Sequence, residues 1–168
     1  MSKGKMPIHK QVRIKHPDGR QIKVDEGLAP LLSSLWSLEI ETEFSCQQTF
    51  EEGQSGKEEP TGPMWIAFSF SHDAEEFLDI LYRSLNPNGE DWSEETPDTP
   101  EGAKWERVTG YWPTRDKPKD IWTYGVHLVI EEGLGPILRP SIDFPVTDYP
   151  WVLEVCRQRS GAVTEVVQ

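Results

Sequence analysis

The 168-residue sequence predicts an α+β fold with a ferredoxin-like βαββαβ core. Three observations lead there. Apolar residues alternate at period two in several short runs, two Leu-rich runs between them repeat at helical spacing, and Gly/Pro clusters separate the runs. Read in order from Gln21 to about Trp112, these runs are strand, helix, strand, strand, helix, strand, the ferredoxin-like order. An N-terminal strand completes a hairpin ahead of this core, and a C-terminal β-hairpin plus helix follows it. The length suits one hydrophobic core rather than two.

Val12 and Ile14 alternate with Arg13 and Lys15, His16-Pro-Asp-Gly-Arg20 supplies turn chemistry, and Ile22 and Val24 resume the alternation, which predicts a hairpin with one apolar face. Leu28, Leu31, Leu32, Leu35, Trp36 and Leu38 fall on one side of a helix starting near residue 28, with Pro30 tolerated in its first turn. Ile40, Thr42, Phe44 and Cys46 then form the apolar side of a half-buried strand. Met64, Ile66, Phe68 and Phe70 make the next strand. Ser71 caps a helix that buries Ala74, Phe77, Leu78, Leu81 and Leu85, and Asp73, Glu75 and Glu76 in its first turn complement the helix dipole.

Trp105 to Trp112 reads as the following strand. Ile121 to Ile130, apolar on both faces, reads as a central one. Glu131-Glu-Gly-Leu-Gly-Pro136 turns the chain into a strand from Ile137 to Val146. A last helix, capped by Thr147 or Asp148 with Pro150 in its first turn, presents Trp151, Val152, Val155 and Cys156 to the core. Residues 1–160 form a single domain in this reading, with mobile loops at 48–63 and 86–103 and a flexible tail at 161–168.

The net charge is -12 and the mean hydropathy -0.59, and charge is unevenly placed. Residues 1–24 carry seven Lys/Arg against Asp18, which leaves about -18 on the remainder. Such a body repels phosphate backbones, which argues against nucleic acid as a partner except through residues 1–24. No apolar run approaches the ~18 residues that a membrane span requires. The basic start leads into no apolar stretch, so no secretory signal is expected and the location is cytoplasmic. The open edge of the N-terminal hairpin makes a homodimer an expectation.

Catalytic chemistry finds few candidates. Cys46, at a strand end, is the obvious nucleophile, with His72 or His127 as base in a cysteine-dependent hydrolase or transferase. The alternation turns its thiol inward beside Phe44, which favours an inert buried group. Two Cys and four His show no metal-ligand spacing. The glycines of 131–136 lack the third glycine and the helix of a dinucleotide site, and Gly53-Gln-Ser-Gly-Lys57 lacks the length of a P-loop. No metal and no cofactor are therefore expected.

Aromatic density is the least ordinary feature, with seven Trp in the chain. On alternating strands Trp105 and Tyr111 would share a face with Arg107 between them, and Trp122 and Tyr124 would share a face on the neighbouring strand. Paired, these strands would present four rings and a guanidinium to a flat ligand or to a protein partner.

The segments Ile40-Glu-Thr-Glu-Phe-Ser-Cys-Gln47 and Ile142-Asp-Phe-Pro-Val-Thr-Asp-Tyr-Pro-Trp-Val-Leu153 resemble small uncharacterised α+β proteins of bacteria and their phages. The resemblance implies a microbial or viral cytoplasmic setting and carries no catalytic residues with it. The sequence thus points to a non-enzymatic binding or regulatory protein that engages a protein or a small flat ligand through an aromatic sheet face. The Cys46 enzyme is the alternative.

Overall fold

Val12 and Ile14 on β1 (Gln11–Lys15) lie opposite Val24 and Ile22 on β2 (Gln21–Asp25), so the apolar residues of the antiparallel hairpin share one face. The computed structural model describes residues 10–47, 50–52, 58–60, 63–89, 100–109, 121–161 and 166–167. Gly19 closes the hairpin turn with φ +93°, a conformation that a side chain disfavours, and Asp18 accepts hydrogen bonds from the Arg20 backbone and guanidinium.

Leu28 precedes α1 (Ala29–Ser37), whose Leu31, Leu32, Leu35 and Trp36 are buried as the spacing predicts. The helix ends as Glu39 takes a left-handed φ of 63° and the Ile40 N–H returns to the Leu35 carbonyl at 3.0 Å. The chain then enters β3 (Thr42–Gln47), which pairs antiparallel with β6 (Met64–Phe68) across a register shift between Thr42 and Phe44. Helix α2 (Ser71–Leu85) buries Ala74, Phe77, Leu81 and Leu85. Its N-cap is Phe70 rather than Ser71. The buried Asp73 carboxylate accepts the Phe70 N–H and the Glu41 N–H, both at 3.0 Å, and so fastens the helix start to the entry of β3.

The long hairpin of β7 (Thr123–Glu131) and β8 (Gly135–Phe144) completes a four-stranded sheet of order β3-β6-β8-β7. Met64, Ile66 and Phe68 on β6 and Ile142 and Phe144 on β8 point to the face that packs in the core with α1, α2 and α4 (Tyr149–Ser160). Val152 and Cys156 are the buried residues of α4, which ends at Gly161 in the left-handed region.

The α+β class stands, and the ferredoxin-like order gives way at two points. The segment read as a strand from Trp105 is the helix α3 (Pro100–Thr109). Trp105 and Val108 are spaced for a helix, and Pro100-Glu101 supplies its start, so 100–103 do not belong to a loop. β2 also joins a different sheet, of order β2-β1-β9, in which β9 (Val166–Val167) lies beside β1. Residues 166–167 are therefore paired rather than a free tail, with β9 beside Arg13 and Ile14 of β1, while β2 stays at the other edge of that sheet among the described residues. Within 48–63, β4 (Phe50–Glu52) and β5 (Glu58–Pro60) form a two-stranded ladder. The remainder of that loop, 90–99 and 162–165 lie outside the described residues. β7 is an edge strand, not the central one, because apolar residues on both faces mark a buried strand and an uncovered one alike.

Candidate functional site

The rings expected to line an open sheet face are dispersed. Trp122 is only 3% exposed and stacks on Phe144 at 4.9 Å, with Phe77 and Trp151 beyond. Its indole N–H donates to Asp148 at 3.0 Å. Trp105, on α3, packs on Tyr82 of α2 at 5.3 Å. Arg107 is engaged by Asp148. Tyr124 is half exposed, and its hydroxyl donates to the Val108 carbonyl at 2.5 Å. Tyr111 lies outside the described residues. The premise of four aromatics sharing one uncovered face is corrected by the helical form of 100–109, which turns Trp105 and Val108 toward α2 and the core.

Cys46, His72 and His127 stand in three different settings. The bulge in β3 turns Phe44 outward, 54% exposed, and leaves Cys46 half-buried rather than enclosed. Burial pushes the Cys46 thiol up, and the neighbouring Asp25 carboxylate pushes it further in the same direction. This is the reverse of what a nucleophile requires. His72 stacks on Phe70 at 5.4 Å and lies 3.7 Å from Asp73. His127 places Nε2 2.9 Å from Ser141 Oγ and its ring edge-on to Trp65 at 5.2 Å. The Ser141 hydroxyl and the His127 imidazole are close enough for proton transfer, but Ser141 is buried, which denies a substrate access to the oxygen.

Two features escaped the sequence reading. One is a cleft of about 380 Å³ between the β1–β2 hairpin and β3, lined by His16, Asp25, Trp36, Glu41 and Phe44 among others. Buried His16 is bracketed there by Asp18 at 3.0 Å and Glu41 at 3.2 Å, with the Trp36 ring 4.9 Å away. The signal was present only as a histidine continuing the apolar alternation of Val12 and Ile14.

The other is an apolar arm. The register pairs Val126 with Pro140, Leu128 with Leu138 and Ile130 with Pro136. These residues continue the face that carries Ile142 and Phe144, but they run beyond the helices that cover it. Leu128 is 64% exposed and Ile130 78%, with Val126, Leu138 and the turn residue Leu134 in the same condition. Gly133 and Gly135, with φ +86° and +82°, make the tight turn that holds the two strands in this register. Apolar surface on that scale, gathered on one side of one hairpin, is the usual mark of a contact surface.

Among the described residues no group of three or more His, Cys, Asp or Glu could hold a metal ion. Among them, too, no helix is long and apolar enough to cross a membrane. The chain matches no known protein-family model, no curated protein and no solved structure.

Proposed function

We propose that this chain is a non-enzymatic binding protein that engages a protein partner through the apolar face of the β7–β8 arm. One observation carries the reading: Val126, Leu128, Ile130 and Leu138 lie on a single sheet face and are exposed, in a chain whose net charge is -12. An apolar face left open to water invites aggregation, so this one fits a surface that is covered in use. Glu131 is held by Arg139, while Glu132 borders the arm at its tip, which suits a partner with apolar residues rimmed by Lys or Arg. The Ile40–Gln47 and Ile142–Leu153 segments support a setting among cytoplasmic accessory proteins of bacteria or phages.

The test is affinity capture from a bacterial lysate with the full chain and with its Leu128→Lys/Leu138→Lys variant, both first shown to melt at the same temperature. A protein held by the parent and released by the variant is the expected result. Equal retention by both chains, or retention by neither, contradicts the proposal.

A further inference from the structure

β7 ends the order β3-β6-β8-β7, so among the described residues no strand lies beyond it. In an antiparallel sheet alternate residues of an edge strand direct their N–H and C=O groups away from the neighbour, and along β7, nine residues long, these groups meet no further strand among the described residues. Proteins blunt such edges with Lys, Pro, bulges or short length. β3, at the other end of the sheet, has a bulge and carries Glu43, with Glu41 just before it; β2 carries Lys23 and Asp25. β7 has none of these devices. Its sequence, TYGVHLVIE, holds one charged residue, at its last position.

We propose that β7 pairs with β7 of a second copy of this chain, antiparallel and in the register that places His127 opposite His127. The self-complementarity of that register carries the assignment. Val126 falls opposite Leu128 of the second copy and Tyr124 opposite Ile130, twice each, so every apolar residue that β7 contributes to the exposed face meets another across the junction. Glu131 falls opposite Thr123, and no like charges meet although each chain carries -12. The two-fold axis stands perpendicular to the sheet. It joins two four-stranded sheets into one of eight, keeps the helices on one side, and places the two apolar arms side by side. The pairing uses the backbone edge of β7 and the cross-strand contacts of Val126 and Leu128, and it leaves Leu138 on β8 outside the junction, so Leu138→Lys alone separates loss of the partner proposed above from loss of the dimer.

The experiment combines sedimentation of the full chain over a concentration series with oxidative cross-linking of single-cysteine additions. The parent sediments as a species of twice 19.2 kDa. His127→Cys, which sits on the axis, forms a cross-linked dimer under mild oxidation. Val129→Cys, whose counterpart lies four residues away along the strand, does not, and neither does the parent with its own Cys46 and Cys156. Val126→Lys/Leu128→Lys sets Lys against Lys at both junctions and returns the chain to a monomer with an unchanged melting temperature, whereas Leu138→Lys on β8 leaves the dimer intact. A parent that stays monomeric at every concentration overturns the proposal and leaves the edge to an extended segment of another protein. A dimer that cross-links through Val129→Cys and not through His127→Cys overturns it as well.

Discussion

Arg107 on α3 and Asp148 ahead of α4 meet through two hydrogen bonds, Nε to Oδ2 at 3.1 Å and Nη2 to Oδ1 at 2.5 Å, and the Trp122 indole N–H makes a third contact to the same carboxylate. Asp148 is buried, so these donors supply the hydration that it gives up on folding. One carboxylate thereby joins α3, the start of β7 and the start of α4. Asp148→Ala leaves a half-buried guanidinium and a buried indole N–H without their acceptor, and we predict a loss of about 2–4 kcal/mol in urea unfolding. Arg107→Lys keeps the charge but loses the two-pronged geometry and falls between the two. An Asp148→Ala chain as stable as the parent would remove this joint from the account.

Glu39 holds a left-handed backbone at the end of α1, where a side chain is disfavoured. Glycine takes this conformation freely but has more freedom to lose on folding. The balance predicts that Glu39→Gly stabilises the chain by about 0.5 kcal/mol, read as a higher urea midpoint with an unchanged slope. A lower midpoint would show that the Glu39 side chain contributes more than its backbone costs.

Burial raises the Cys46 thiol, and the neighbouring Asp25 carboxylate raises it further, so the thiol is a poor nucleophile at neutral pH. Iodoacetamide labelling at pH 7 should modify Cys46 more slowly than free cysteine. Asp25→Asn should accelerate it, because one of the two causes that raise the thiol is removed, while His72→Ala and His127→Ala leave the rate unchanged. Labelling faster than free cysteine, abolished by either histidine variant, would restore the cysteine enzyme.

Burial raises Tyr149 from 10.0 to about 12 and Cys156 from 9.0 to about 12. The Tyr149 hydroxyl donates to the Gly27 carbonyl, a bond made by the protonated form. Both groups hold their protons more tightly folded than unfolded. The stability they contribute is therefore complete below the ordinary values and is lost as pH rises from about 9 to 12. The melting temperature should fall across that range, and Tyr149→Phe should flatten the fall by about 2 kcal/mol of pH-dependent stability. A melting temperature constant through this window contradicts the burial of both groups.

The elements that sequence revealed are those whose own residues settle their environment. The hairpin at 11–25 is marked by its alternation and by Asp18-Gly19, and α2 by Phe77, Leu81 and Leu85 behind an acidic first turn. α3 stayed hidden because Trp105, Arg107 and Thr109 also alternate, and the spacing of Trp105 to Val108 acquires meaning only when Tyr82 and the core are there to receive them. The shared aromatic face was misplaced for a related reason: indoles on adjacent segments look equally available whether a helix covers them or not, and Trp122 lies beneath Phe77 and Trp151. The Val126, Leu128 and Ile130 alternation was visible in sequence. What could not be read was that β8 projects past its helices and leaves that face bare.

Solvent paramagnetic relaxation of the methyl resonances, with a neutral gadolinium chelate added to the full-length chain, tests the bare face most directly. The methyls of Val126, Leu128, Ile130 and Leu138 should broaden as strongly as those of surface residues, while Ile66, Ile142 and Val152 stay sharp. Protection of the four arm residues to the level of Ile142 would mean that the chain covers this face itself, and would contradict its use as a contact surface.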